Sequence, residues 1–157
     1  MAITIHKGRI EDAEALGRIC YEAFHAISTA HNFPPDFPNT DSTTGFMRMA
    51  LSHPEMHAFV AEEDGRIVGS NFLATQSSIA GIGPITVDPQ AQNGAIGKRL
   101  MQAALAHVDE RGLPGVRLCQ AAFHNRSLSL YTKLGFDVRE PLANISGPPL
   151  RKSIPGF

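Results

Sequence analysis

The chain has 157 residues, a formal net charge of −1, 43% hydrophobic residues and 18% charged residues. That length fits one domain able to bury a substantial core, and the balance is globular rather than disordered. The near-zero charge gives no basic excess for a nucleic-acid backbone, and no apolar run reaches the roughly 18 residues of a membrane span. The N-terminal MAITIHKGRI lacks the apolar region of a signal peptide. Cys20 and Cys119 lie far apart and form no disulfide framework, so a cytoplasmic protein with reduced thiols is expected. There are seven histidines, but no HExxH or CxxC pattern, and Pro54 interrupts the His53/His57 pair, so no metal is expected.

Ala2 to His6 alternates as a first strand. Residues 11–30 then carry acids in the first turn (Glu11, Asp12, Glu14) and apolar residues at Leu16, Ile19, Cys20, Ala23 and Ile27, the spacing of one helix face. His31 to Thr40 holds three prolines and predicts a loop. Asp41 to Leu51 predicts a shorter helix capped by Asp41 or Ser42. Met56 to Glu62 and Arg66 to Thr75 predict two strands around a hairpin at Glu63, Asp64 and Gly65, and Ser78 to Val87 a third. Ala95 to Arg111 is the clearest helix, with Ile96, Leu100, Met101, Ala104, Leu105 and Val108 on one face and Gly112 and Pro114 as stops. Gly115 to Ala121 predicts a short strand, Arg126 to Leu134 a helix ended by Gly135, and Phe136 to Arg139 a last strand. A further short strand is placed near Leu142 to Ser146. The order is β-α-α-β-β-β-α-β-α-β(-β), which implies an α/β fold with a mixed central sheet of about 6–7 strands and helices on both faces. Residues 1–146 form the expected domain, and the Pro/Gly-rich stretch 147–157 a tail or linker.

Val87 to Leu100 reads VDPQAQNGAIGKRL: a strand end, a loop and a strong helix start. Gly94, Ala95 and Gly97 are small enough for backbone to approach a bulky ligand. The N–H groups of a helix start and the positive end of its dipole suit an anionic phosphate. Lys98 and Arg99 add charge. A P-loop fits worse, because Gln92 and Arg99 occupy its first glycine and Ser/Thr positions. A dinucleotide fingerprint would open the first β-α unit, whereas this turn follows three strands. On these grounds alone, an ordinary small-residue turn and an anion cradle stand about even.

The segment resembles the acyl-CoA-binding motif of the GNAT superfamily of N-acetyltransferases, a strand ending VDP followed by Q/R-x-x-G-x-G/A. Gln92 and Gly97 match, and Ala95 stands where the first glycine is usual. The resemblance implies a three-layer fold binding acetyl-CoA or coenzyme A. Its pyrophosphate would be held by backbone amides of Gln92, Asn93, Gly94, Ala95, Ile96 and Gly97, with Lys98 beside them. Its pantetheine arm would pair with backbone groups of Ile85, Thr86 and Val87 as an added strand. The later segment FHNRSLSLYTKLGF, from Phe123 to Phe136, resembles the family's N-x-x-A-x-x-L-Y…GF motif. Ser127, Leu130, Tyr131, Gly135 and Phe136 fall into register. His124 occupies the asparagine position and Asn125 the next; either could touch the pantetheine, and Asn125 is also a helix-cap candidate.

The resemblance implies transfer of an acetyl group to a primary amine by direct attack. Tyr131 resembles the family's general acid to the CoA thiolate, and the Val87 N–H its carbonyl-polarising donor. A lysine-like amine of pKa about 10.4 is only about one part in two thousand neutral at pH 7, so a base or a water chain helps. No acid lies in Gly81 to Pro84, where many relatives carry one; His31, Asp36, His57, Asn71 and His124 are the candidates. His31, Phe33, Asp36 and Phe37 lie in the loop that borders the acceptor in the family, and Asn71 is grouped with them as substrate-facing. The expected partner is a small-molecule or protein amine, with a homodimer left open and no nucleic-acid or membrane partner. The alternative is a CoA-binding sensor domain that has lost catalysis. A nucleotide-phosphate enzyme is a third reading, favoured if ATP rather than CoA raises Tm.

Overall fold

The computed structural model describes residues 3–91, 95–143 and 147–148 of the chain. Strand β1 (Ile3–Lys7) leads through a 3-10 turn at Ile10–Asp12 into helix α1 (Ala13–Ala30). Helix α2 (Thr40–Ser52) follows the proline-rich loop. Its cap is Asn39, whose Oδ1 accepts from the Ser42 N–H at 2.9 Å, rather than Asp41 or Ser42. Strands β2 (Met56–Glu63) and β3 (Arg66–Ala74) form a hairpin. Asp64 and Gly65 both have positive φ, 50° and 80°, the backbone that matches strand twist at a two-residue turn. Strand β4 (Ala80–Val87), helix α3 (Ile96–Glu110), strand β5 (Val116–Arg117) and helix α4 (Asn125–Lys133) complete the described elements.

One sheet runs β1-β2-β3-β4-β5, antiparallel until the parallel β4–β5 pair. The described residues therefore hold five strands, fewer than expected. The expected strand at Phe136 to Arg139 is irregular chain, as are Leu142 and Ala143; the rest of the Leu142–Ser146 expectation, and most of the tail, lie outside the described residues. Val138 is 76% exposed, so the alternation there has no sheet face to serve. Of the expected strand at Gly115 to Ala121, only Val116 and Arg117 pair.

Helices α1 and α2 cover one face. Leu16, Cys20, Met47, Ala58, Val60 and Phe72 meet there in one buried cluster. A Cβ on Gly17 would lie 2.6 Å from Thr44 Cα, so only glycine permits this helix approach. The Thr43 hydroxyl beside it lies 2.8 Å from both Gly17 O and Thr40 O. Helix α3 covers the other face with Ile96, Leu100, Met101, Ala104 and Val108. A bulge inserts Val68 opposite Ala61 and Glu62, which turns Val68 to the α3 side although Phe72, four residues on, faces α1 and α2. Burying each large apolar side chain stabilises the fold by about 1.5–3 kcal/mol. Among the described residues, no helix is long and apolar enough to cross a membrane.

Candidate active site

The site is built where β4 and β5 part. They pair only at Ala80–Val116 and Gly81–Arg117. On the β3 side, Asn71 faces Ile85 and Leu73 faces Ile82, so Gly83 and Pro84 together oppose Phe72. A bulge of this kind bends its strand. Beyond it, Gly81 to Pro84 and Arg117 to Cys119 line an opening of about 350 Å³. Backbone groups from Ile82 to Ile85 have no strand partner on that side among the described residues.

At the end of β4, Asp88 ties the turn together. It is 1% exposed, and its Oδ1 accepts from the Gln90 N–H at 2.9 Å. Its Oδ2 accepts from Arg66 at 3.1 Å and lies 3.7 Å from an Arg18 guanidinium nitrogen of α1. Its backbone N–H donates to Val68 O, and its carbonyl accepts from Ala91 N–H. One buried carboxylate thus fixes the strand end, the hairpin and α1 around the expected phosphate cradle. The sequence shows Asp88 only as part of VDP; Arg66, Val68 and Arg18, which it joins, are twenty or more residues away.

Gln92, Asn93 and Gly94 lie outside the described residues. Ala95 is the N-cap of α3 and sits in the left-handed region at φ 58°, ψ 13°, with no side-chain cap bond. That conformation explains why glycine is usual at the corresponding position in the resembled motif. Ile96 is buried beneath α3, and Lys98 is exposed on its first turn. A Cβ on Gly97 would reach 3.4 Å from Leu130 and 3.9 Å from Val87, so the α3 start, the β4 end and α4 converge there. Ile85 and Val87 pack toward α3. The Thr86 side chain is buried against Ser70 at 3.5 Å, which leaves only its backbone for a ligand.

Helix α4 brings the second motif to the same place. Its cap is His124, whose Nδ1 accepts from the Ser127 N–H at 3.5 Å; Asn125 is the first helical residue and not the cap. Neutral His124 therefore carries its proton on Nε2 and presents a donor. Burial, helped by Arg126 and His31, lowers its pKa, and its own backbone hydrogen bond opposes this. Tyr131 is 7% exposed and shares a buried cluster with Leu73, Ala80 and Ile82, the last within the opening's wall. Burial raises its pKa, partly offset by a side-chain hydrogen bond from Ser127, so the hydroxyl keeps its proton at neutral pH.

The loop after α1 closes onto the start of α4. His31 stacks on Phe123 at 5.0 Å between ring centroids, and Phe33 stacks on it at 4.4 Å. The motif around Phe123 was legible, but nothing local announces a partner some ninety residues earlier in the chain. The His31 Nδ1 lies 2.9 Å from Ile27 O. A carbonyl only accepts, so Nδ1 carries the proton and Nε2 keeps its lone pair. Asp36 is exposed and accepts from the Ser28 hydroxyl at 3.3 Å. Phe37 turns inward, edge-on to Phe24 at 5.5 Å, and belongs to the α1–α2 core. Asn71 is fully buried; its amide nitrogen lies 3.3 Å from Leu100 O under α3, which leaves no surface for an acceptor. His57 lies on β2 beside α3, lining a different cavity. No group of three His, Cys, Asp or Glu side chains placed to hold a metal occurs among the described residues.

Comparison with known proteins agrees with this geometry. Over 84 residues the chain is 34% identical to the mycothiol acetyltransferase of Streptomyces avermitilis, covering 52% of this chain but only 27% of that protein. An aminoglycoside N-acetyltransferase in complex with CoA superposes with a TM-score of 0.73 at 15% identity, over 93% of this chain and 95% of that one. The PaiA N-acetyltransferase of Thermoplasma acidophilum in complex with coenzyme A gives 0.72 at 21%, over 90% and 93%. The fold is shared with these two N-acetyltransferases. The profile of the Acetyltransferase (GNAT) family matches residues 21–136, and the chain belongs to that family. Among the described residues, the β4 edge from Ile82 to Ile85 has no strand partner on the β5 side, Ala95 takes the left-handed conformation at the start of α3, and Tyr131 is buried in the cluster that includes Ile82 of the opening's wall.

Proposed function

We propose that the chain transfers an acetyl group from acetyl-CoA to the primary amine of a small molecule. The observation that carries this reading is Tyr131, which burial keeps protonated in the cluster it shares with Ile82, a lining residue of the β4–β5 opening. Backbone of Gln92 to Gly97 would hold the pyrophosphate, and backbone of Ile85 to Val87 the pantetheine. His124, Asn125 and Ser127 would border the pantetheine from α4. Acetyl-CoA supplies an activated thioester carbonyl. The amine nitrogen bonds to that carbon as the C–S bond breaks. The amine proton passes to Nε2 of His31, directly or through water, and the sulfur receives the proton of Tyr131. His31 is favoured over His124 because Ile27 O holds its proton on the other nitrogen, whereas the cap gives His124 the opposite tautomer. Stacked His31, Phe33 and Phe123, with exposed Asp36 in the same loop, suit a cationic amine. The named aminoglycoside acetyltransferase neighbour supports a small-molecule acceptor over a protein amine.

Thiol release from acetyl-CoA with a panel of amines tests this. Tyr131→Phe and His31→Gln are each expected to lower kcat/KM by about 10²–10⁴-fold. The rise in Tm on adding CoA should be kept in both. The lack of an acid in Gly81 to Pro84 favours a second reading, a CoA sensor without catalysis. No turnover across the panel, with CoA still raising Tm, would select it.

A further inference from the structure

A second cavity, of about 360 Å³, lies between the edge of the sheet and the C-terminal half of α3, and shares no lining residue with the β4–β5 opening. Its size falls in the range of ligand pockets, about 300–1,000 Å³. Apolar side chains of Ile5, Phe59 and Ala103 and basic ones of Lys7, His57 and His107 line it, while His6 and Ala58, on alternate strand positions that face α1 and α2, lend it backbone. The His57 and His107 rings lie 4.5 Å apart, and an Arg111 guanidinium nitrogen lies 3.4 Å from His57 Nε2. The His107 Nε2 atom is buried and has no hydrogen-bond partner among the described residues.

Among the described residues, neither Lys7 nor Arg111 is ion-paired with an acid. Glu62 is engaged 3.4 Å from His6, and at His57 the positive charges of His107, Arg111 and Lys7 oppose that of Glu55. Basic residues near a helix C-terminus suit its dipole, which accounts for His107 and Arg111 on α3. It does not account for Lys7 and His57, which come from β1 and β2. A cation has no place among Lys7, Arg111 and two imidazoles. An anion does: it would give the orphaned His107 nitrogen an acceptor and Arg111 and Lys7 a counter-charge.

We propose that this cavity binds a small organic anion, its oxyanion head held by Lys7, His57, His107 and Arg111 and its apolar body lying on Phe59 and Ala103. The inference is independent of the acetyl-transfer reading. The test follows the histidine ring signals by NMR during titration with phenyl phosphate, benzoate and inorganic phosphate, with sodium chloride at matched ionic strength. The expected result is saturable shifts at His57 and His107, at lower concentration for the two aromatic anions than for inorganic phosphate. Which aromatic anion saturates first assigns the head group as phosphate or carboxylate. In the double variant Lys7→Gln/Arg111→Gln, both exposed side chains, Kd should weaken tenfold or more while the CoA-induced rise in Tm stays as in the parent. Shifts that follow ionic strength without saturating would overturn the proposal, as would equal affinity in the variant or saturation in the β4–β5 opening instead.

Discussion

Replacing Ala95 with glycine isolates the backbone of the expected phosphate turn. Ala95 sits at φ 58°, with its side chain exposed and no cap bond to lose, so the substitution removes a methyl that packs against nothing essential. The left-handed conformation costs an L residue roughly 1–2 kcal/mol, and glycine escapes it. Glycine also loosens the unfolded chain, which takes back about 0.4–1 kcal/mol. The balance is a gain centred near ~0.8 kcal/mol, or about 1–4 °C in Tm for a domain of this size. Thermal and urea denaturation without ligand measure it. Ala95→Val is the opposing control: its branched side chain suits this region less, so Tm should fall. A glycine variant no more stable than the parent, or glycine and valine shifting Tm in the same direction, would refute the argument.

Gly17→Ala forces a methyl into the Thr44 backbone and should cost about 2–3 kcal/mol in urea denaturation, as overpacking of a close helix contact does. The two thiols should separate sharply on alkylation followed by mass spectrometry. Cys20, its pKa pushed up to about 12 by burial and then by Asp36, stays unmodified in the folded state. Cys119, exposed and lining the opening, reacts, and CoA should slow it several-fold if the opening is where CoA lies. Stability should fall on acidification. Burial lowers the pKa of both His57 and His124, so the unfolded chain binds more protons near pH 6. Their contribution is present above the unfolded value of about 6.5 and is lost as pH falls through the folded values. Tm measured from pH 7.5 to 5 should show this slope, and His124→Gln should flatten it.

The order from β1 to α4 was legible because each long element carries its own period, and because Asp64–Gly65 encodes a turn. What failed depended on partners. Phe136 to Arg139 alternates like a strand, but no strand among the described residues pairs with it, and alternation alone cannot supply one. Asn39 and His124 won the caps from Asp41 or Ser42 and from Asn125, because a cap is decided by which side chain reaches the third amide along, within a residue or two of the expected start. Asn71 reads as a polar residue in a strand; only packing reveals that it faces Leu100 under α3. Of the site, the glycine-rich turn and Tyr131 were visible because they fall in local motifs. Asp88 as a hub and the His31–Phe33–Phe123 stack were not, because each joins segments remote in sequence.

The two-residue seam between β4 and β5 also bears on how the molecule opens. Every other neighbouring pair of strands is laced over at least five residue pairs, this one over two. The chain after Gly112 is thus basted rather than sewn to the rest. A ligand that threads the gap would supply the missing stitches, so its grip should register most strongly in the slow hydrogen exchange of amides from Val116 to Lys133, and far less on β1 and β2.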